Sequence, residues 1–227
     1  MAVIVQDGLK RMYEKKEKVF YYITSLNENY PHPAMPEGVE EGIRRGIYRL
    51  RESAGTDKPV QLMGSGSILR QVEKAAEWLN EKGIAASVWS VTSFNELRRD
   101  GMACEREALL SAGQRTPEPY VTAQLKQSEG PLISATDHMK AYSDQIRPYI
   151  PQGRAYQVLG TDGFGRSDTR DALRRFFEVD WQHVAWAAGY ELMKEGTLSA
   201  DELESWREQL SIDASKPDPL YSSGRNR

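Results

Sequence analysis

Gly64, Ser65, Gly66 and Ser67 stand between a short apolar run and the most regular amphipathic stretch of the sequence. Glycine and serine at the start of a helix leave backbone N–H groups free at its positive end, which is the chemistry of an anion site. The four residues complete neither a dinucleotide fingerprint nor a phosphate loop with its lysine. A tight strand-to-helix turn needs glycine in any case, so the structural reading is favoured and this loop is kept as the one candidate binding site. Nucleophilic chemistry has little to draw on. Cys104 falls inside a predicted helix, where cysteines are usually buried and inert. His32, His138 and His183 fall in three different elements, and separate histidines without paired spacing make a poor metal site. Asp137 and His138 open a predicted helix, where capping is the expected role. No catalytic, cofactor-binding or metal-ligating residue is assigned from these side chains.

Residues 160–168, Gly-Thr-Asp-Gly-Phe-Gly-Arg-Ser-Asp, follow a predicted strand and precede a helix. Asp162-Gly163 is similar to the opening of the metal–diphosphate motif of thiamine enzymes, which needs an asparagine further along. The only asparagine after it is the distant Asn226. A loop shaping the sheet's carboxyl edge, or an interface, is the expectation instead. The basic run Lys10, Arg11, Lys15, Lys16 and Lys18 is broken by Glu14 and Glu17 and reads as a solvated helix face. Arg44, Arg45, Arg49 and Arg51, interleaved with Glu40, Glu41 and Glu52, are expected to form ion pairs across an interface.

The elements that must position these residues alternate between strand and helix. Residues 19–24, Val-Phe-Tyr-Tyr-Ile-Thr, read as a strand covered on both faces. Three prolines in 27–38 forbid a regular element there. Strands are expected at 46–50, 60–63, 85–91, 132–135 and 155–159. Ile68, Leu69, Val72, Ala75, Ala76 and Leu79 share one helical face, with Gly83 as a stop. Ser93 with Glu96 and Ser199 with Glu202 are capping boxes. Further helices are expected at 139–147, from a cap at Asp168 through Phe176, and through Trp181, Val184, Ala188 and Leu192. Strands alternating with helices predict an α/β fold, a mostly parallel sheet with helices on both faces. The first helical stretch, Val5, Leu9, Met12 and Tyr13, has no capping residue before it, so the sequence is expected to open partway through a longer helix.

Composition narrows the class. With 227 residues, 39% of them hydrophobic, the chain is long enough for a packed core. Thirty basic against 33 acidic residues give −3, which lacks the excess of positive charge that a nucleic-acid partner requires. A lone cysteine allows no intrachain disulfide and fits a reducing compartment, so the cytoplasm is expected. No apolar run is long enough for a membrane helix.

Residues 21–30, Tyr-Tyr-Ile-Thr-Ser-Leu-Asn-Glu-Asn-Tyr, running into 33–38, Pro-Ala-Met-Pro-Glu-Gly, resemble the homodimeric pyruvate dehydrogenases of bacteria. Leu-Met-Gly-Ser-Gly-Ser-Ile-Leu-Arg at 62–70, Ser-Val-Thr-Ser-Phe-Asn-Glu-Leu at 90–97 and Val-Leu-Gly-Thr-Asp-Gly-Phe-Gly-Arg-Ser-Asp at 158–168 carry the same resemblance. It covers the whole chain in order, yet corresponds to only the last quarter or so of such an enzyme. The resemblance implies that residues 1–38 end a middle, pyrimidine-binding domain and its connector. It implies that 39–215 form a transketolase C-terminal-like domain and that 216–227 are a flexible tail. It further implies an enzyme that decarboxylates pyruvate with thiamine diphosphate and Mg²⁺ and acetylates the lipoyl group of dihydrolipoyl acetyltransferase. The partners implied are a second subunit, the upstream domains and that acetyltransferase core, with no nucleic acid and no membrane. Its catalytic and cofactor residues lie upstream, so this chain alone is expected to be structural, to support the dimer and to bind no cofactor. Some of Trp78, Trp89, Trp181, Trp186 and Trp206 are then expected on an exposed apolar patch. Two alternatives stay open: a free-standing α/β module with an anion at 64–67, and a fragment of a transketolase-related enzyme, which should lack the Asn-Glu-Asn-Tyr connector.

Overall fold

The computed structural model describes residues 1–27, 29–55 and 57–222. Five strands, β1 (Ile47–Arg51), β2 (Val60–Gly64), β3 (Ala86–Val91), β4 (Leu132–Ala135) and β5 (Tyr156–Leu159), form one sheet in the order β1-β3-β2-β4-β5. β3, β2, β4 and β5 are parallel, and β1 alone runs antiparallel, against β3. The connecting helices are α1 (Ala2–Leu9), α2 (Glu40–Arg45), α3 (Leu69–Glu81), α4 (Phe94–Leu110), α5 (Tyr120–Leu125), α6 (Lys140–Asp144), α7 (Arg170–Phe176), α8 (Trp181–Lys194) and α9 (Ala200–Gln209). Every residue of β2, β3 and β4 is buried, as strands covered on both sides require.

The period-2 alternation of the strands feeds two cores. Val60, Leu62, Val88 and Ile133 face α3 and α8, where Val72, Ala75, Val184 and Ala188 meet them. α9 covers that layer with Leu203 and Trp206. On the opposite face Met63, Trp89, Leu132 and Val158 pack against Phe94 and Leu97 of α4 and Val121 and Leu125 of α5. The polar residue in the middle of β2 is satisfied: Gln61 accepts from Trp89 Nε1 at 2.8 Å and donates to the Glu129 carbonyl at 3.1 Å. The close crossing of α8 and α9 depends on Gly189, because a Cβ there would stand 2.5 Å from the Trp206 ring.

Local signals placed most helix starts. Ser93 Oγ accepts from the Glu96 N–H and Ser199 Oγ from the Glu202 N–H, as the two boxes require. For α7 the cap is Thr169, one residue later than expected, and Asp168 accepts instead from the Thr169 N–H. The expected helix over 139–147 breaks into α6 and a 3₁₀ turn at Arg147–Tyr149, where Pro148 removes a backbone donor. α2 and α5 were not foreseen. Six residues are too few to show a period, although Glu40, Glu41, Arg44 and Arg45 in α2 follow the helix dipole.

Three expectations are corrected. Residues 19–24 form no strand, and Phe20 and Tyr22 are each 88% exposed. Sequence pattern supplies β-propensity but not the neighbouring strand that a ladder needs. The tryptophans make no exposed patch, since Trp89 and Trp206 are buried and Trp78, Trp181 and Trp186 are partly covered. Trp78 lies edge-on to Trp206 at 5.0 Å and 6.4 Å from Trp181, so the indoles cover one another. Finally, the arginines at 44–51 pair within the chain, Arg45 with Asp100 at 2.9 Å, Arg49 with Glu52 at 2.7 Å and Arg51 with Glu73 at 3.2 Å.

Candidate functional site

In an open parallel sheet the carboxyl ends of the strands form the crevice where ligands bind. Here that edge gathers residues 64–67 after β2, Thr136, Asp137 and His138 after β4, and 160–169 after β5. The loops are tied to one another. Ser65 Oγ donates to Thr136 Oγ1 at 2.8 Å in a buried contact, and the Ser65 N–H reaches the Ala135 carbonyl at 3.3 Å. The Thr161 hydroxyl donates to the Asp137 carbonyl at 2.7 Å and its N–H to the His138 carbonyl at 2.9 Å. Gly160 lies so near that chain that a Cβ would stand 2.7 Å from the His138 carbonyl.

Each expected site residue finds a place in this network. Gly64 lets β2 meet α3, because a Cβ would come within 2.8 Å of Leu69 Cα. Gly66 adopts φ +56°, and a Cβ built on it would be 3.4 Å from Asp137 Oδ1. A carboxylate directly before the loop repels the anion that its N–H groups would otherwise attract, so the residues at 64–67 shape a turn. Asp137 does not cap α6. The cap comes from Asp162, whose Oδ1 accepts from the Lys140 N–H at 3.0 Å, which gives the Asp162-Gly163 pair a structural role. We expect Asp162→Ala to cost about 1 kcal/mol and Asp162→Asn much less. Urea unfolding of the three proteins checks this, and equal losses for both variants would contradict it.

The remaining chemistry is dispersed. His32 stacks 4.9 Å from Tyr30, His138 4.8 Å from Tyr142, and His183 binds Asp180. Burial pushes the Cys104 thiol up, away from a reactive thiolate. Among the described residues no group of three His, Cys, Asp or Glu stands together to hold a metal. Ser134, Ser143 and Tyr156 form a buried hydroxyl chain, with Oγ–Oγ 2.6 Å and Oγ–Oη 2.8 Å. Burial pushes Tyr156 up to about 12, so the chain is a brace between β4, α6 and β5 and not a proton donor near neutrality.

A charged cleft of about 240 Å³ lies beneath the 160–169 loop, lined among others by Lys140, Asp162, Glu178 and Lys216. Asp162, Glu178 and Lys216 in it are already engaged. Lys216 Nζ donates to the Phe176 carbonyl at 2.6 Å and pairs with Glu178 at 2.8 Å. Of the expected tail, residues 216–222 lie against this cleft, where Arg166 Nη2 donates to the Ser222 carbonyl; 223–227 lie outside the described residues.

Sequence reasoning missed the densest charged site. Asp180 caps α8 by accepting from the His183 N–H, binds His183 Nδ1 at 2.5 Å and pairs with Arg175 at 3.1 Å. An aspartate immediately before an apolar helix was the available signal.

A family model described as the transketolase-like TK C-terminal domain matches residues 46–180. A second, described as the pyruvate dehydrogenase E1 component middle domain, matches residues 1–33. The chain is similar to the pyruvate dehydrogenase E1 component of Escherichia coli (strain K12), at 50% identity over 221 residues, 96% of this chain and 25% of that protein. The same component of Pseudomonas aeruginosa is 50% identical over 222 residues, 97% of this chain and 25% of that protein. The chain thus spans about a quarter of the length of the curated relatives it matches. Among solved structures, transketolase from Leishmania mexicana is similar at 20% identity and a TM-score of 0.46, covering 68% of this chain and 19% of that one. No helix among the described residues is long and apolar enough to cross a membrane.

Proposed function

Because the chain belongs to the transketolase-like C-terminal domain family, we propose that it does the work of the carboxy-terminal quarter of a bacterial pyruvate dehydrogenase E1. The observation that carries this reading is half identity over nearly the whole chain against only a quarter of each relative. Residues 1–38 are then the end of the middle, pyrimidine-binding domain with its connector. Residues 39–215 are the carboxy-terminal domain, and 216–227 its tail. The whole enzyme decarboxylates pyruvate with thiamine diphosphate and Mg²⁺ in the cytoplasm, as a homodimer, and acetylates the lipoyl group of dihydrolipoyl acetyltransferase.

The chemistry of that cofactor belongs elsewhere in the enzyme. The residues here do not fit it: Asp162 is committed to capping α6, Asp137 faces the 64–67 loop, and no three of the described acids, cysteines and histidines stand together. No step is assigned to these side chains. What they supply is a rigid sheet edge, knitted loop to loop, against which the rest of the enzyme and the second subunit close. Calorimetric titration of the purified chain with thiamine diphosphate and Mg²⁺ is expected to show no saturable heat. Tight stoichiometric binding by the chain alone would contradict this division of labour.

A further inference from the structure

The buried core runs as far as Leu210, and no residue from Ser211 to Ser222 is buried. Ile212 still packs against the core. From Asp213 onward the chain is held to the domain by polar bonds and by backbone contact with the 160–169 loop. Lys216 is the strongest tie. Its Nζ donates to the Arg175 carbonyl at 3.2 Å, the Phe176 carbonyl at 2.6 Å and Glu178 Oε1 at 2.8 Å, and so serves the negative end of α7. The Phe176 ring is shared between tail and loop. Lys216 Nζ stands 5.6 Å from its centroid and the Arg166 guanidinium 4.4 Å. Arg166 also donates through Nη2 to the Ser222 carbonyl. Gly163, at φ +97°, lies so near the tail that a Cβ would stand 2.8 Å from the Pro219 carbonyl oxygen. The loop gripped in this way is the one that Thr161 and Asp162 fasten to the 137–140 segment at the sheet edge. Asp218, Pro219 and Leu220 wall the cleft of about 240 Å³ beside it.

We propose that residues 213–222 form a clasp on the 160–169 loop, latched by Lys216, that opens as a unit while the rest of the domain stays folded. Closed, it holds the loop against the carboxyl edge and covers the cleft. Open, it frees the loop and uncovers Lys140, Asp162 and Glu178. Two features give it this behaviour. A segment tied at the surface by polar bonds, without a buried apolar side chain, belongs to the low-stability end of a fold and opens locally. Its ties also converge on one ammonium, so a single charge governs several charge-assisted bonds at once.

Two variants of the full chain test the clasp from opposite sides. Lys216→Met removes the latch and is read at the loop. Trypsin cleavage after Arg166, and exchange of the Thr161 amide that donates to the His138 carbonyl, become at least about tenfold faster than in the parent. Gly163→Ala drives a Cβ against the Pro219 carbonyl and is read in the tail. The Tyr221 and Ser222 amides, both bonded to the Asp218 carbonyl, lose protection by a similar factor. Lys216→Arg keeps the charge and loosens the loop less than Lys216→Met does. In each variant the Leu62 and Val88 amides of β2 and β3 exchange as in the parent. A loop unmoved by Lys216→Met overturns the proposal, as does a tail unmoved by Gly163→Ala. An arginine variant as loose as the methionine one denies the latch its charge and also overturns it. Sheet amides that speed up together with the loop overturn it too, because the tail would then belong to one cooperative fold.

Discussion

Arg154→Met lowers the free energy of unfolding by about 3–5 kcal/mol, the largest single-residue loss expected outside the apolar cores. The guanidinium lies between β5 and the turn after α5. Nε donates to the Gly130 carbonyl at 2.8 Å, and Nη1 donates to the Leu125 carbonyl at 2.7 Å and the Ser128 carbonyl at 3.0 Å. Among the described residues it binds no carboxylate directly. Burial lowers its pKa, but an arginine keeps its charge, so the fork is held by charge-assisted bonds to backbone oxygens. Methionine fills the stem's volume and takes the donor from the Gly130 and Ser128 carbonyls, whereas the Leu125 carbonyl keeps the Ser128 N–H and hydroxyl. Nearby Gly130 cannot adjust, because its φ is +80° and its backbone already abuts Pro59. Arg154→Lys, a point charge without a fork, recovers less than half the loss. Urea unfolding of the three proteins measures this, and a methionine variant within about 1 kcal/mol of the parent would contradict it.

Asp180→Ala is expected to cost about 3 kcal/mol, of which the helix cap contributes about 1 and the buried charge network the rest. The carboxylate joins α7, α8 and the end of α9. It binds His183 and Arg175, and Arg175 in turn donates to the Leu210 carbonyl at 3.4 Å and to the Ser211 carbonyl. Asparagine caps nearly as well as aspartate, so Asp180→Asn loses the charge alone and separates the two terms. The pH dependence follows in sign. Burial pushes the Asp180 carboxyl up, but the hydrogen bond and charge of His183, with Arg175, outweigh it and hold the group below the usual carboxylate range. A depressed folded pKa gives stability that is fully present above the unfolded value of about 3.9 and is lost as pH falls through the folded one. The gap between parent and Asp180→Asn therefore closes as pH falls below about 4. A gap that persists or widens as pH falls below about 4 would contradict the assignment.

How much of this was legible in the sequence depended on whether the cause was local. The capping serines, the α3 stripe and the central strands rest on neighbours within a few residues, and Ser93, Val72 and Leu62 announced them. Sheet order and the antiparallel β1 depend on contacts between distant segments, which no window contains. Residues 19–24 show the opposite failure, a strand pattern that no described strand pairs with. At the carboxyl edge, glycines and an aspartate at 160–163 marked an important loop. That Asp162 caps a helix 22 residues earlier was invisible, because the bond is made in space. Arg154 gave no sign either, since backbone carbonyls leave no mark in a sequence.

The central claim is that this chain supplies the carboxy-terminal quarter of a pyruvate dehydrogenase E1. The most direct measurement is pyruvate-dependent activity of E. coli E1 whose matching quarter is replaced by this chain, with thiamine diphosphate and Mg²⁺ present. The account expects a dimer that turns over at a rate comparable to the unmodified enzyme, while the same E1 lacking that quarter does not. A folded, dimeric fusion without activity would contradict it.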